Sequence, residues 1–170
     1  MTEHLLIRPL QDTEIPTLTG LAAEIWRAHY PGIISVAQIE YMLAQRYNDA
    51  LIRDELRQRD LWWDVLMLDG TMTGYASYFL TDASATMKLD KLYLHPRVHR
   101  QGYGGRLIKH VFGFAARLGC NRLTLAVNRH NKSAIDAYLN HGFHMAGTSV
   151  REIGGGFMMD DCIMVKAVKE

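Results

Sequence analysis

No run of 18 apolar residues occurs in this chain, so no segment reads as a membrane-spanning helix. Cysteine is scarce. Cys120 and Cys162 show no Cys-x-x-Cys spacing, which excludes a disulfide framework and a zinc site and leaves two ordinary, semi-buried thiols. Neither sign of charge dominates: 19 basic and 18 acidic residues are well mixed, giving a formal net charge of +1. That balance provides no electrostatic footprint for nucleic acid or an anionic membrane, and a small-molecule partner is expected. Residues 1–14, MTEHLLIRPLQDTE, lack both a long apolar core and a small-residue cleavage site, so a cytoplasmic location is expected. Linkers and low-complexity stretches are missing too. Residues 1–170 therefore read as a single domain, long enough to bury about 70% of its unfolded surface. Eight histidines invite a metal site, with His95 and His99 four apart. Pro96 breaks any regular helix between them and no carboxylate or cysteine completes a ligand set, so no metal is expected.

What is present is a clear alternation of periods. Residues 4–8 read as a strand, and Leu18, Leu21, Ala22, Ile25 and Trp26 then recur at helical spacing behind Pro16. Ser35 and Gln38 have capping-box spacing ahead of Ile39, Met42, Leu43 and Tyr47, which predicts a helix from Val36, with a further helix around residues 49–59. Residues 62–68 and 72–80 flank Asp69-Gly70, the signature of a hairpin, and 86–94 is a fourth strand. A helix over 104–118, a strand over 122–127 and a helix over 132–140 follow. The chain closes with a hairpin of 144–150 and 157–166 joined through Gly154, Gly155 and Gly156.

The most informative stretch is residues 88–109, KLDKLYLHPRVHRQGYGGRLIK, where a strand runs through a glycine-rich turn into an amphipathic helix. A helix start carries unpaired N–H groups and the positive end of the helix dipole, and Gly102, Gly104 and Gly105 let those amides approach an anion closely. Gln101 and Arg106 add polar and cationic contacts. A conformational turn alone explains glycines there equally well. Two familiar phosphate motifs are absent: there is no Gly-Lys-Ser/Thr, and Arg106-Leu107 stand where a dinucleotide fingerprint needs a spaced glycine.

The segment His99-Arg100-Gln101-Gly102-Tyr103-Gly104 resembles the acyl-CoA binding pattern Gln/Arg-x-x-Gly-x-Gly/Ala of the GNAT family of N-acetyltransferases, with His99 departing from the first slot. A second block, residues 123–143, LTLAVNRHNKSAIDAYLNHGF, resembles the same family's Asn-x-x-Ala-x-x-x-Tyr and Gly-Phe signature. The resemblance implies an α/β fold with a mixed, mostly antiparallel central sheet flanked by helices, its central strands splayed around acetyl-CoA. It implies that the backbone of Leu92, Tyr93 and Leu94 pairs with the pantetheine arm. Arg100, Gln101, Gly102, Tyr103, Gly104, Gly105 and Arg106 would hold the pyrophosphate, and Asn128, Asn131 and Ala134 would complete the cofactor contacts.

The implied reaction is attack of a primary amine on the thioester of acetyl-CoA. An alkyl amine is only about one part in 2,500 neutral at pH 7, a handicap of roughly 4.6 kcal/mol, so a base or an ordered water leading to one is needed. Strand period two puts Lys88, Asp90, Leu92 and Leu94 on one face, and Asp90 is the leading base candidate; the alternative is that it only pairs with Lys88 or Lys91. Many relatives place a glutamate where this chain has Lys88. Asp160 and Asp161 are further candidates for binding the cationic amine, and as strand neighbours only one of them faces a cleft; Asp160 is carried as a substrate contact. Tyr138 is the residue the motif nominates to meet the leaving thiolate, with packing on the sheet as the alternative. Asn131, Ala134 and Tyr138 share a helix face, and Asn131 is also the expected N-cap.

Trp26, His29, Tyr30, Ile33 and Ile34 lie between the first two helices, where relatives build the acceptor wall; the alternative is that Trp26 is core and the others fill a loop. The tail over residues 156–166 and the segment over 26–42 are loosely similar to bacterial polyamine acetyltransferases, which favours a small polyamine-like amine. Protein N-termini, lysines, amino acids and amine-bearing antibiotics stay open, as does a homodimer. A CoA-binding sensor without turnover is the rival class.

Overall fold

A computed structural model describes residues 2–168 of the chain. Seven strands form one sheet: β1 (Leu5–Pro9), β2 (Leu61–Leu68), β3 (Thr71–Leu80), β4 (Thr86–Leu94), β5 (Arg122–Asn128), β6 (His144–Gly154) and β7 (Phe157–Ala167), in the order β1-β2-β3-β4-β5-β7-β6. Every neighbouring pair is antiparallel except β4 with β5. Among the described residues five α-helices complete the fold: α1 (Ile15–His29), α2 (Val36–Arg46), α3 (Asp49–Leu56), α4 (Tyr103–Arg117) and α5 (Lys132–Asn140). This is the mixed, mostly antiparallel sheet flanked by helices expected from the sequence. No helix among the described residues is long and apolar enough to cross a membrane.

Local signals account for the elements. Ser35 accepts a hydrogen bond from the Gln38 amide and so starts α2, as its spacing predicts. Asn48 caps α3 in the same way, and Asp69 (φ +48) with Gly70 (φ +80) makes the tight turn between β2 and β3. The final hairpin extends further than its sequence suggests, to Gly154 on β6, because bulges at Met145/Gly147 and Glu152/Gly154 keep the ladder in register.

The helices divide between the two faces of the sheet. Ile15, Leu18, Ala22, Ile25 and Trp26 of α1 and Ile39 and Met42 of α2 bury against Trp63, Val65 and Tyr75. On the other face Leu107, Ile108, Val111 and Ala115 of α4 pack on Leu66, Ala76, Met87 and Leu89. A polar anchor fixes α4: the buried Asp64 carboxylate accepts from His110 Nε2 at 2.7 Å and from the Tyr78 hydroxyl at 2.5 Å. Such satisfied buried polar groups specify one docking of the helix, and with it the position of the loop that precedes it.

Two irregularities shape the centre of the sheet. The parallel pair β4 and β5 is in register only from Thr86↔Arg122 to Leu89↔Leu125; beyond Leu89 the strands part. At the same place β4 is bulged, since Ser77 pairs with Lys91 and Tyr78 with Leu89, leaving Asp90 as the extra residue. The bulge reverses the alternation of side chains. Met87 and Leu89 bury in the α4 core, and so do Leu92 and Leu94, while Tyr93 packs in the core beneath α1. The single face predicted for Lys88, Asp90, Leu92 and Leu94 is thereby corrected: a strict period of two does not survive an inserted residue.

Candidate active site

Where β4 and β5 diverge, three cavities follow one another through the sheet. A narrow waist of about 80 Å³ lies between the strands. It shares Leu92, Tyr93, Asn131 and Ala134 with a groove of about 570 Å³ on the side of the loop before α4. It shares Met42, Arg46, Asp90 and Met159 with a mouth of about 420 Å³ on the opposite side. A ligand reaching in from the groove and one reaching in from the mouth meet only at the waist.

The groove ends on the glycine-rich turn, with Arg100 in its lining. Gly102 is the residue before α4 and has φ +86, a left-handed conformation that glycine adopts without strain. The first bond at this helix start runs from the Arg106 amide to the Gly102 carbonyl (3.2 Å), so the amides of Tyr103, Gly104 and Gly105 come before it and face no intrahelical acceptor. Gly105 has a packing reason as well: a Cβ there would lie 2.7 Å from His141 Cε1. His99, which breaks the family pattern, has a different task. Its Nε2 donates to the Leu94 carbonyl at 2.8 Å and ties the loop to the end of β4. Gln101 donates to the Arg97 carbonyl at 3.3 Å, and the Tyr103 hydroxyl donates to Glu3, which leaves only the Tyr103 amide to face an anion.

Asn131 stands at the N-cap of α5, but its side chain does not cap the helix. It is 4% exposed, and its Oδ1 instead accepts from His29 Nε2 at 3.1 Å, joining α5 to α1 across the groove. His29 therefore belongs to the groove wall and not to the acceptor side expected of it. Asn128 lines the waist, and its Oδ1 accepts from the His130 amide at 2.9 Å.

Tyr138 reaches the waist from α5, with its ring 5.5 Å from that of Phe143. Its hydroxyl has no hydrogen-bond partner among the described residues, and burial pushes its pKa up to about 12. A neutral phenol with a free O–H at neutral pH can donate a hydrogen bond to developing negative charge.

The carboxylates divide sharply. Asp90 accepts from Arg46 Nη2 through both oxygens (3.0 and 3.1 Å) and lies 2.6 Å from Lys91 Nζ. Burial opposes its charge, but Lys91 and Arg46 outweigh that and hold its pKa at about 2. The base role expected of Asp90 is corrected on this ground: a carboxylate already shared by two cations has little affinity for a further proton. Asp160 is corrected as well. It pairs with Arg129 at 3.1 Å, on the face of β7 away from the waist. Asp161 faces the waist. It is 3% exposed, its Oδ1 has no hydrogen-bond partner, and burial raises its pKa despite the pull of Arg151, Lys88 and Arg46.

Trp26 and Tyr30 are core residues that also line the waist, where the Tyr30 and Tyr93 hydroxyls are 2.7 Å apart. Ile34 lines the waist, whereas Ile33 packs against the core beneath α1 and α2 and is not part of it.

A splayed β4/β5 pair, a glycine turn at the start of α4 and a half-buried tyrosine on α5 meet around the waist and groove. The acetyltransferase (GNAT) family model matches residues 21–143. The chain belongs to the GNAT family of acetyltransferases. As a GNAT enzyme it is an N-acetyltransferase whose acetyl donor is acetyl-CoA. The spermidine N(1)-acetyltransferase of Thermoplasma acidophilum is 27% identical over 158 residues, 91% of this chain and 94% of that protein. The thialysine N-epsilon-acetyltransferase of Sus scrofa is 31% identical over 99 residues, 49% of this chain and 58% of that protein. The structure of the PaiA N-acetyltransferase of T. acidophilum in complex with coenzyme A superposes with a TM-score of 0.82 at 25% identity, covering 96% of this chain and 99% of that one.

Arg46 of this GNAT site escapes a reading of the sequence, which names Lys91 and Asp161 as candidates but leaves their settings open. Arg46 reaches Asp90 from a helix 44 residues upstream, which no spacing foretells. Lys91 is 5% exposed with its ammonium 5.0 Å from the Trp63 ring centre, a burial that only the bulge produces. Asp161 differs from Asp160 only by strand parity, and parity is assigned by the pairing of Asp161 with Asn128 and Ser149.

Proposed function

We propose that this enzyme acetylates the primary amine of a small molecule, with acetyl-CoA in the groove and the amine entering through the mouth. The carrying observation is the buried, unpartnered Asp161 carboxylate in the same waist as the free Tyr138 hydroxyl. Asp161 holds the incoming ammonium, and one of its protons passes to water beside Asp161, which frees the nitrogen lone pair. The amine nitrogen attacks the thioester carbonyl, the C–S bond breaks, and the electron pair leaves on sulfur as CoA thiolate. Tyr138 donates a hydrogen bond to that sulfur. Full transfer of its proton is uphill, since a phenol at about 12 is a far weaker acid than a thiol near 8.5. The proton on nitrogen, strongly acidic once the C–N bond has formed, passes to Asp161 or to water next to it.

On the donor side, the amides of Tyr103, Gly104 and Gly105 bind the pyrophosphate, with Arg100, Gln101, Gly102 and Arg106 around it. The backbone of Leu92, Tyr93 and Leu94 adds the pantetheine as an extra strand along the parted edge of β4. Asn128, Asn131 and Ala134 line its path. Similarity to a spermidine acetyltransferase at 27% identity supports a small free amine as acceptor, and a cytoplasmic location suits such a substrate.

The test is acetyl-CoA-dependent thiol release over polyamines, amino acids and N-terminal peptides, with CoA affinity measured on the same preparation. Turnover with small amines supports the reading. Turnover confined to peptides, or none with tight CoA binding, overturns it.

A further inference from the structure

The mouth opposite the cofactor groove is not built for a polycation. Its lining brings together Arg46, Lys88 and Arg151 against Asp90 and Glu152, and the half-buried carboxylate of Asp90 is already occupied by Arg46 and Lys91. Among the described residues neither Lys88 nor Arg151 has an ion-pair partner. Lys88 lies over the Phe79 ring at 5.9 Å, and Arg151 meets only the Met159 sulfur at 3.7 Å. A second ammonium in this mouth would face three cations, and the carboxylate there without an ion pair among the described residues, Glu152, is exposed to solvent.

Strand geometry adds a length. Ser149 on β6 pairs with Asp161, and Arg151 pairs with Met159, so Asp161 and Arg151 lie on the same face one pleat repeat apart. That repeat is roughly 7 Å. Two cations without ion-pair partners among the described residues therefore stand at the mouth, and a buried, unpartnered carboxylate stands at the waist.

Resting on the amine-acetylation reading, we infer that the acceptor is an amino carboxylate. Its ammonium meets Asp161, and its carboxylate, a short alkyl chain away, meets Arg151 and Lys88. Alkyl spacing of four or five methylenes places the two charges at about the required distance, and Met42 and Met159, which line both the waist and the mouth, offer that chain an apolar, adaptable wall.

The experiment compares kcat/KM for 6-aminohexanoate, its neutral amide 6-aminohexanamide, 1,5-diaminopentane and spermidine. The wild type is expected to favour 6-aminohexanoate over the amide by about tenfold or more, the scale of one charge-assisted hydrogen bond. In Arg151→Glu and in Lys88→Glu that ratio should fall toward one while spermidine gains, with thermal melting confirming that each variant is folded. Spermidine or the diamine exceeding 6-aminohexanoate in the wild type overturns the inference and leaves amine acetylation standing. A ratio unmoved by both charge reversals overturns it too. Absence of turnover with all four amines, despite CoA binding, removes the amine-acetylation reading and this inference with it.

Discussion

Arg46 on α2 donates to both oxygens of Asp90 on β4, at 3.0 and 3.1 Å, across the bulge that parts β4 from β5. The pair is a structural clasp on the mouth side of the waist. Asp90→Asn leaves Arg46 and the buried Lys91 without their shared counter-charge, and is expected to cost about 2–4 kcal/mol at pH 7. The folded pKa of Asp90, about 2, is below its ordinary 3.8. Its stabilisation is therefore full above pH 4 and is lost as pH falls toward 2. Urea unfolding of wild type and variant should show a gap at pH 7 that narrows below pH 4. A gap independent of pH contradicts the clasp.

Asp161 has the opposite sign. Burial raises its pKa above 3.8, so its charged form destabilises the fold at neutral pH, and that penalty lessens as acid protonates it. Asp161→Asn is expected to raise the melting temperature at pH 7 by a few degrees, with the gain disappearing below the ordinary carboxylate value. Calorimetry at pH 7 and pH 3 checks this. A destabilised variant at pH 7 would mean that Asp161 is paired in solution.

Tyr138→Phe removes the one hydroxyl free to meet the leaving sulfur. The variant should lose kcat by about tenfold to a hundredfold while binding CoA nearly as well as wild type. With its pKa pushed up to about 12, Tyr138 contributes no limb to the pH–rate profile between pH 6 and 10. Equal turnover in the variant contradicts its role.

Gly105→Ala drives a methyl group to within 2.7 Å of the His141 ring at the start of α4. The helix start must shift, and CoA affinity is expected to fall several-fold. Adding His141→Ala should restore most of it, because the obstruction is a side chain. Isothermal titration of the single and double variants decides. No rescue would place the effect in the backbone of the loop itself.

Much of the fold was legible because its signals are local. The span of β4, the span of α5 and the start of α2 at Ser35 follow from alternation, helical spacing and a capping residue. The site was legible only in part. Glycine-rich turns and the Asn131, Ala134 and Tyr138 spacing are local patterns, so the groove and waist were approached from sequence. The pairing of Asp90 with Lys91 is the alternative that sequence offers, but the bulge and the distant arginine that decide against a base role are tertiary. Sequence does not separate Asp160 from Asp161, because neighbouring strand residues are chemically identical until pairing assigns their faces. Asn131 was expected to cap α5, yet His29, 102 residues away, takes its oxygen.

The most direct measurement is acetyl-CoA-dependent thiol release by wild type and Asp161→Asn with one small primary amine, followed from pH 6 to 9 alongside CoA affinity. The account expects a folded variant that binds CoA like wild type, loses kcat/KM for the amine by at least about a hundredfold, and gains none of it back at higher pH, where more of the amine is neutral but its anchor is still missing. A variant that matches wild type across the pH range would contradict the assignment of Asp161 and, with it, the route of the amine through the waist.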